Sequence, residues 1–175
     1  MKISTQILVF LGCLMASLIP GRAEAQDEGT RTPVQHDQVI SANPFLLLWE
    51  FANVEYERKI SPSGTVGVVG STLSLDDGDA RYTSLNGFYR YYSQGAALTG
   101  FYLGGRLGFH KGSAEDEDVH AYGLGIDVGY SWLLGSNRNF FIGIGIGATR
   151  LFGGDVDEGR VVIPSLRLLN IGFAF

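Results

Sequence analysis

One cysteine, Cys13, stands in the whole chain, and it falls in a stretch with the anatomy of a secretory signal. Lys2 supplies the positive start, residues 7–19 the apolar run, Pro20-Gly21 the break, and Ala23-Glu24-Ala25 a small-x-small cleavage site. Cleavage is expected after Ala25, leaving an exported chain without cysteine, so no disulfide can hold it together. The apolar run is well short of the roughly 20 residues a spanning helix needs. Lipidation at Cys13 would leave too little of that run, and Phe10 sits where such sites carry an aliphatic residue. No other apolar run is long enough for a transmembrane helix, so any membrane span must be β. The signal takes away two of the 13 basic and one of the 18 acidic residues, and the remainder carries a net charge of −6. An acidic chain without basic clusters excludes nucleic acid as a partner.

Catalytic and ligand motifs are also missing. No phosphate loop, metal-ligand cluster or nucleophile elbow is visible, so no catalytic, cofactor-binding or metal residue is assigned and no cofactor is expected. Three histidines occur, His36, His110 and His120. His120 is placed at an outer rim, but its neighbours Val119 and Ala121 give no nucleophile motif, so the chain reads as a non-enzyme.

What is present is alternation. Residues 26–38 are polar and read as a flexible leader; from 39 onward, short Gly-, aromatic- and β-branched-rich runs are separated by turn residues or acidic clusters. In residues 119–133, His120, Tyr122, Leu124, Ile126, Val128, Tyr130 and Trp132 share one face, and Ala121, Gly123, Gly125, Asp127, Gly129 and Ser131 the other. Aromatics at both ends of an aliphatic face fit a lipid-facing strand crossing two interfaces. Residues 81–92, 98–110 and 140–150 repeat the pattern. Residues 65–75 are extended with an ambiguous greasy face, because Val66 and Val68 disagree in parity with Val69 and Leu73. Inner-face glycines beside Tyr102 and Phe141 are read as packing in a narrow lumen.

The connectors alternate too. Residues 61–64, 93–95 and 134–139 are tight, whereas 76–79, 111–118 and 153–159 are acidic loops. Six strands follow Ser61, so residues 39–60 must form a hairpin, with its turn placed near Phe51-Ala52-Asn53. This gives an eight-stranded antiparallel up-and-down transmembrane β-barrel over residues 39–175. A soluble lipocalin-like barrel would need an apolar inside and a polar outside, the reverse of what these faces offer.

The last strand ends on alternating Leu169, Ile171, Phe173 and Phe175. Strict alternation from Phe175 would aim Arg167 at lipid, at roughly 2–4 kcal/mol near mid-membrane. A β-bulge at Leu168-Leu169 would return it to the lumen, and that bulge is predicted. Glu57, Arg90, Arg106 and Asp127 are also predicted to point inward. An eight-stranded interior is about wide enough for side chains alone. These four therefore read as a salt-bridge network in a filled lumen, not as an ion path. Clusters at Asp76, Asp77, Asp79, at residues 115–118, and at Asp155, Asp157, Glu158 read as solvated loop charge. Calcium held there, or divalent cations bridging to lipopolysaccharide, is the alternative.

Asn43-Pro44, Tyr56-Glu57-Arg58, Tyr89-Arg90-Tyr91-Tyr92, Gly129-Tyr130 and the terminal Phe175 together resemble a family of small bacterial outer-membrane barrels classed as a domain of unknown function, of the eight-stranded OmpX/OmpA-like kind. The resemblance covers residues 43–175. Family members end R-x-N-x-G-x-x-F, and this chain has an extra leucine between Arg167 and Asn170, which points to the same bulge. The resemblance implies an outer-membrane location and insertion by the barrel-assembly machinery through the strand ending in Phe175. It implies no catalytic residue. Outer-membrane lipids and lipopolysaccharide are the expected partners of a monomer with a structural or surface-contact role. A lipid A-modifying enzyme and a small-solute pore are the alternatives.

Overall fold

Alternation of side chains can be satisfied without exposed strand edges only if the sheet closes, and here it does. A computed structural model of the protein describes residues 35–75, 80–114, 117–155 and 161–175. Their strands are β1 (Gln38–Ala42), β2 (Phe51–Lys59), β3 (Gly64–Leu75), β4 (Ala80–Tyr92), β5 (Gly100–Ala114), β6 (Glu117–Leu134), β7 (Phe140–Phe152) and β8 (Val162–Ala174). Each pairs antiparallel with the next, and β1 closes the barrel on β8 through Val39↔Ala174 to Ala42↔Ile171. The amides of Asp37 and Gln38 both reach the Phe175 carbonyl, and the Phe175 amide returns to the Gln38 carbonyl. The signal, its cleavage site and leader residues 26–34 lie outside the described residues.

The first hairpin forms, but its turn lies elsewhere than expected. Phe51, Ala52 and Asn53 belong to β2 and pair with Leu73, Thr72 and Ser71 of β3. The reversal occupies residues 43–50, with a 3-10 turn over Leu46–Trp49. Asn43 is the cause. Its side-chain oxygen accepts from the Phe45 and Leu46 amides, each at 3.1 Å, while its own amide donates to the Asn53 side chain at 2.8 Å. An Asn before Pro thereby starts the turn as soon as β1 ends, and Glu50, at φ 56°, closes it.

A second correction concerns the connector at 111–118. Lys111–Ala114 and Glu117–Asp118 continue the β5–β6 ladder, down to the pair Ala114↔Glu117. Lys111 Nζ donates to Asp118 at 2.7 Å and Ser113 Oγ to the same carboxylate at 2.6 Å. Charge on both strands of this hairpin supports pairing across it instead of breaking it.

The ambiguous face of β3 is resolved. Val66 and Val68 lie on the exterior, while Val69 is buried and Leu73 lines the lumen. On β8 the register runs Gly143↔Asn170 and then Gly145↔Arg167. Two residues, Leu168 and Leu169, therefore oppose Ile144 alone, which is the expected bulge. It leaves Leu168 on the exterior, and both Arg167 and Asn170 buried.

Candidate functional site

Inward parity on five strands gathers six ionised side chains near the middle of the lumen. β2 supplies Glu55 and Glu57, β4 Arg90, β5 Arg106, β6 Asp127 and β8 Arg167. Arg90 is the hub. Its Nη1 donates to Glu55 and to Glu57 at 2.7 Å each, its Nη2 to Glu55 at 3.1 Å, and its Nε to Asp127 at 3.4 Å. Arg167 Nη2 donates to Glu55 at 2.5 Å, and Arg106 Nη2 lies 3.3 Å from Asp127. Three guanidinium groups thus face three carboxylates, and the cluster is neutral. Neutrality is what lets it stay buried, because an unmatched charge in such a place costs several kcal/mol.

Hydrogen bonds saturate the rest of Glu57. Thr65 donates to it at 2.6 Å and Tyr92 at 2.8 Å. The aromatic floor is tight: Arg90 stacks over Phe88 and Tyr102, and Arg167 over Phe141. Glycines make the room. A Cβ on Gly143 would run into the Arg167 guanidinium, and one on Gly129 or Gly145 would meet the Tyr102 hydroxyl. The packing role expected of the inner glycines holds at these positions.

Side chains fill the lumen from this cluster toward the tight turns. Toward the 43–50 turn the described residues do not, and the expectation of a side-chain-filled lumen gives way among them there. A cavity of about 470 Å³ opens above the cluster. Leu46, Phe51, Val69, Leu73 and Ile163 make its apolar wall, Ser84, Thr149 and Ser165 contribute hydroxyls, and Glu55, Arg106, Asp127 and Arg167 line its floor. Gly145 of β7 and Ser165 of β8 are among its small lining residues.

Of the four residues expected inside, Glu57, Arg90 and Asp127 are buried and Arg106 is 14 % exposed at its side chain. The structure joins to them Glu55, which shares the parity of Glu57. It also adds the Tyr82–His110 pair, with the Tyr82 hydroxyl 2.5 Å from His110 Nδ1 on the cavity wall. His110 shares the parity of Tyr102 and Arg106 on β5, and that shared parity was the available signal. His120 lies outside this site. Its ring stacks on Phe109, and the Asp155 carboxylate accepts its backbone amide at 3.0 Å. Asp76, Asp77, Asp79, Glu115, Asp116, Asp157 and Glu158 lie outside the described residues. Among the described residues Asp118 is exposed, and the hydrogen bond from Lys111 holds its carboxyl below the usual aspartate range.

No family model matches the chain, so the likeness to the family of unknown function stays a resemblance. No curated protein matches it either. Among solved structures it is similar to the Yersinia pestis outer membrane protein Ail, solved in a phospholipid bilayer nanodisc. The two are 17% identical, the match covers 81% of this chain and all of that one, and the TM-score is 0.49.

Proposed function

We propose that the chain is an integral protein of the bacterial outer membrane, a transmembrane barrel with a structural or surface-contact role. The observation that carries this reading is the polarity of the closed sheet. Leu85, Leu107, Leu124, Ile126 and Ile146 stand on the exterior, each at least 60% exposed, while charge gathers inside. In water so large an apolar surface would drive association; in hydrocarbon it is the required surface, and closure leaves no unpaired edge. Its height fits. Tyr122 and Trp132 are ten residues apart on β6, roughly 33 Å along the strand and about 25 Å along the axis for a tilt of roughly 40°. Tyr130 and Trp132 stack at one end, centroids 4.6 Å apart, and Phe109, Tyr122 and Phe152 gather at the other.

In this reading outer-membrane lipids and lipopolysaccharide surround a monomer, and the acidic loops are the surface that meets the outside. The barrel-assembly machinery would take the chain by its Phe175 strand. The Arg90 cluster blocks the lumen, which favours a closed barrel over a solute pore. A lipid A-modifying enzyme would centre on the outward His120, but Asp155 is engaged by that residue's backbone and not by its ring. Unchanged lipid A masses with and without the protein would support the non-enzymatic role.

Topology is tested with single cysteines, since only Cys13 is native. Val161→Cys on the loop end should react with an impermeant maleimide on intact cells. Asn137→Cys at the opposite end should react only after lysis. Equal labelling of both on intact cells would contradict the orientation.

A further inference from the structure

The cavity above the charge cluster is apolar on its walls, Arg106 is the most exposed of the charged side chains at its floor, and nothing in the barrel's structural role requires it. Three facts define what it can hold. First, of the charged residues that line the cavity, Glu55, Asp127 and Arg167 are at most 7% exposed at their side chains, whereas Arg106 is 14% exposed. Second, Arg106 is under-partnered. Its contact with Asp127 is at 3.3 Å, to an oxygen that Arg90 Nε also approaches, and its own Nε has no hydrogen-bond partner. The Glu55 oxygens already accept from Arg90 and Arg167, so the most exposed charged group at the floor is a donor and a cation. The second Asp127 oxygen also has no hydrogen-bond partner, but it is buried where a Cβ on Gly104 would stand. Third, Val69, Leu73 and Ile163 stand on facing walls above it, on β3 and β8.

We propose that the cavity is a binding site for a small amphipathic monocarboxylate, its carboxylate on Arg106 and its apolar body between Val69, Leu73 and Ile163. A guanidinium pairs with a carboxylate through parallel hydrogen bonds. A mostly apolar pocket with few convergent polar groups is the usual form of a small-ligand site, and about 470 Å³ lies within the usual size range. The Tyr82–His110 pair and the Ser84 hydroxyl lie on the same wall and offer secondary contacts. This goes beyond the membrane reading, because the site belongs to the lumen whatever surrounds the exterior.

The test is a titration of the full barrel in lipid nanodiscs with octanoate, read by methyl NMR. The Val69, Leu73 and Ile163 methyls should shift saturably, while the exterior Leu107 and Leu124 methyls drift without saturation as octanoate enters the bilayer. Octanol, equal in chain length and uncharged, should bind at least tenfold more weakly, and so should octanoate with Arg106→Gln. Val69→Phe, across the ladder from Glu55, narrows the cavity and removes no charge; it should weaken octanoate at least tenfold and keeps the test valid if Arg106→Gln fails to fold. Lumen methyls that shift only in step with the exterior ones would overturn the site. So would octanol binding as tightly as octanoate, or Val69→Phe binding as the parent does. Inorganic phosphate displacing octanoate at equal concentration would overturn the amphipathic class and leave a bare anion site.

Discussion

Replacing Arg90 by alanine should damage the barrel without creating a channel, and the size of the damage follows from what each partner keeps. Glu55 retains Arg167, and Asp127 retains Arg106. Glu57 retains only neutral donors, Thr65 and Tyr92. One fully buried carboxylate is therefore left without a cation. Breaking a buried pair from one side costs about 3–5 kcal/mol, because an uncompensated charge stays behind. The stacking on Phe88 and Tyr102 is lost as well, but that is the smaller contribution. The assay is urea unfolding of the barrel in lipid vesicles, followed by tryptophan fluorescence. Arg90→Ala should lower the unfolding free energy by about 3–5 kcal/mol, and adding Glu57→Gln should recover part of it, since the stranded charge is then removed. Conductance in planar bilayers should stay at the parent's level. A change under about 1 kcal/mol, no recovery in the double variant, or a new open-state conductance would refute the structural role of the network.

Four further outcomes follow from the same geometry. Deleting Leu168 leaves Leu169 alone opposite Ile144, so the bulge closes with Arg167 and Asn170 both still inward, and the same urea titration should show a loss well under the roughly 2–4 kcal/mol of a charge facing lipid. Gly143→Val pushes a side chain into the Arg167 guanidinium and should destabilise by about 1–3 kcal/mol through overpacking, with Arg167 resonances shifting in NMR spectra. Asn43→Ala strips the Phe45 and Leu46 amides of their acceptor and should cost about 1 kcal/mol, with faster hydrogen exchange confined to residues 43–53. Asp118 has its folded value depressed by Lys111, so its contribution is present above the unfolded aspartate value and is lost as pH falls through the lower, folded one. Amide exchange at Ser113 and Asp118, corrected for intrinsic rates, should therefore quicken only in that acid range.

Parity carried most of what the sequence disclosed. The exterior faces of β4 to β7 were legible because small or charged residues inside alternate with large apolar ones outside. Arg167 exposed the bulge, since strict alternation would set its charge on the face of Phe173 and Phe175, and one extra residue between them turns it inward. Parity failed where both faces are greasy. Val69 and Leu73 on β3 point into an apolar cavity, so their hydrophobicity said nothing about which side they occupy. That cavity is a product of how eight strands set small residues beside one another across the ladder, and no single strand discloses it. The first turn was misplaced for a local reason: the Asn43 side chain bonds to its own following amides and starts the reversal early, whereas Phe51 to Asn53 have partners on β3. The acidic 111–118 stretch read as a loop by composition, yet Lys111, Ser113 and Asp118 satisfy one another across a ladder.

The central claim, a closed barrel whose exterior belongs in lipid, is tested most directly by electrophoresis of the outer-membrane fraction, boiled and unboiled, in mild detergent. Closed barrels resist unfolding unboiled, because their backbone hydrogen bonds close on themselves and leave no edge. The account predicts that the protein is found in that fraction and that its unboiled band migrates apart from the boiled one. A single band at one position, with the protein recovered in the soluble periplasmic fraction, would contradict it.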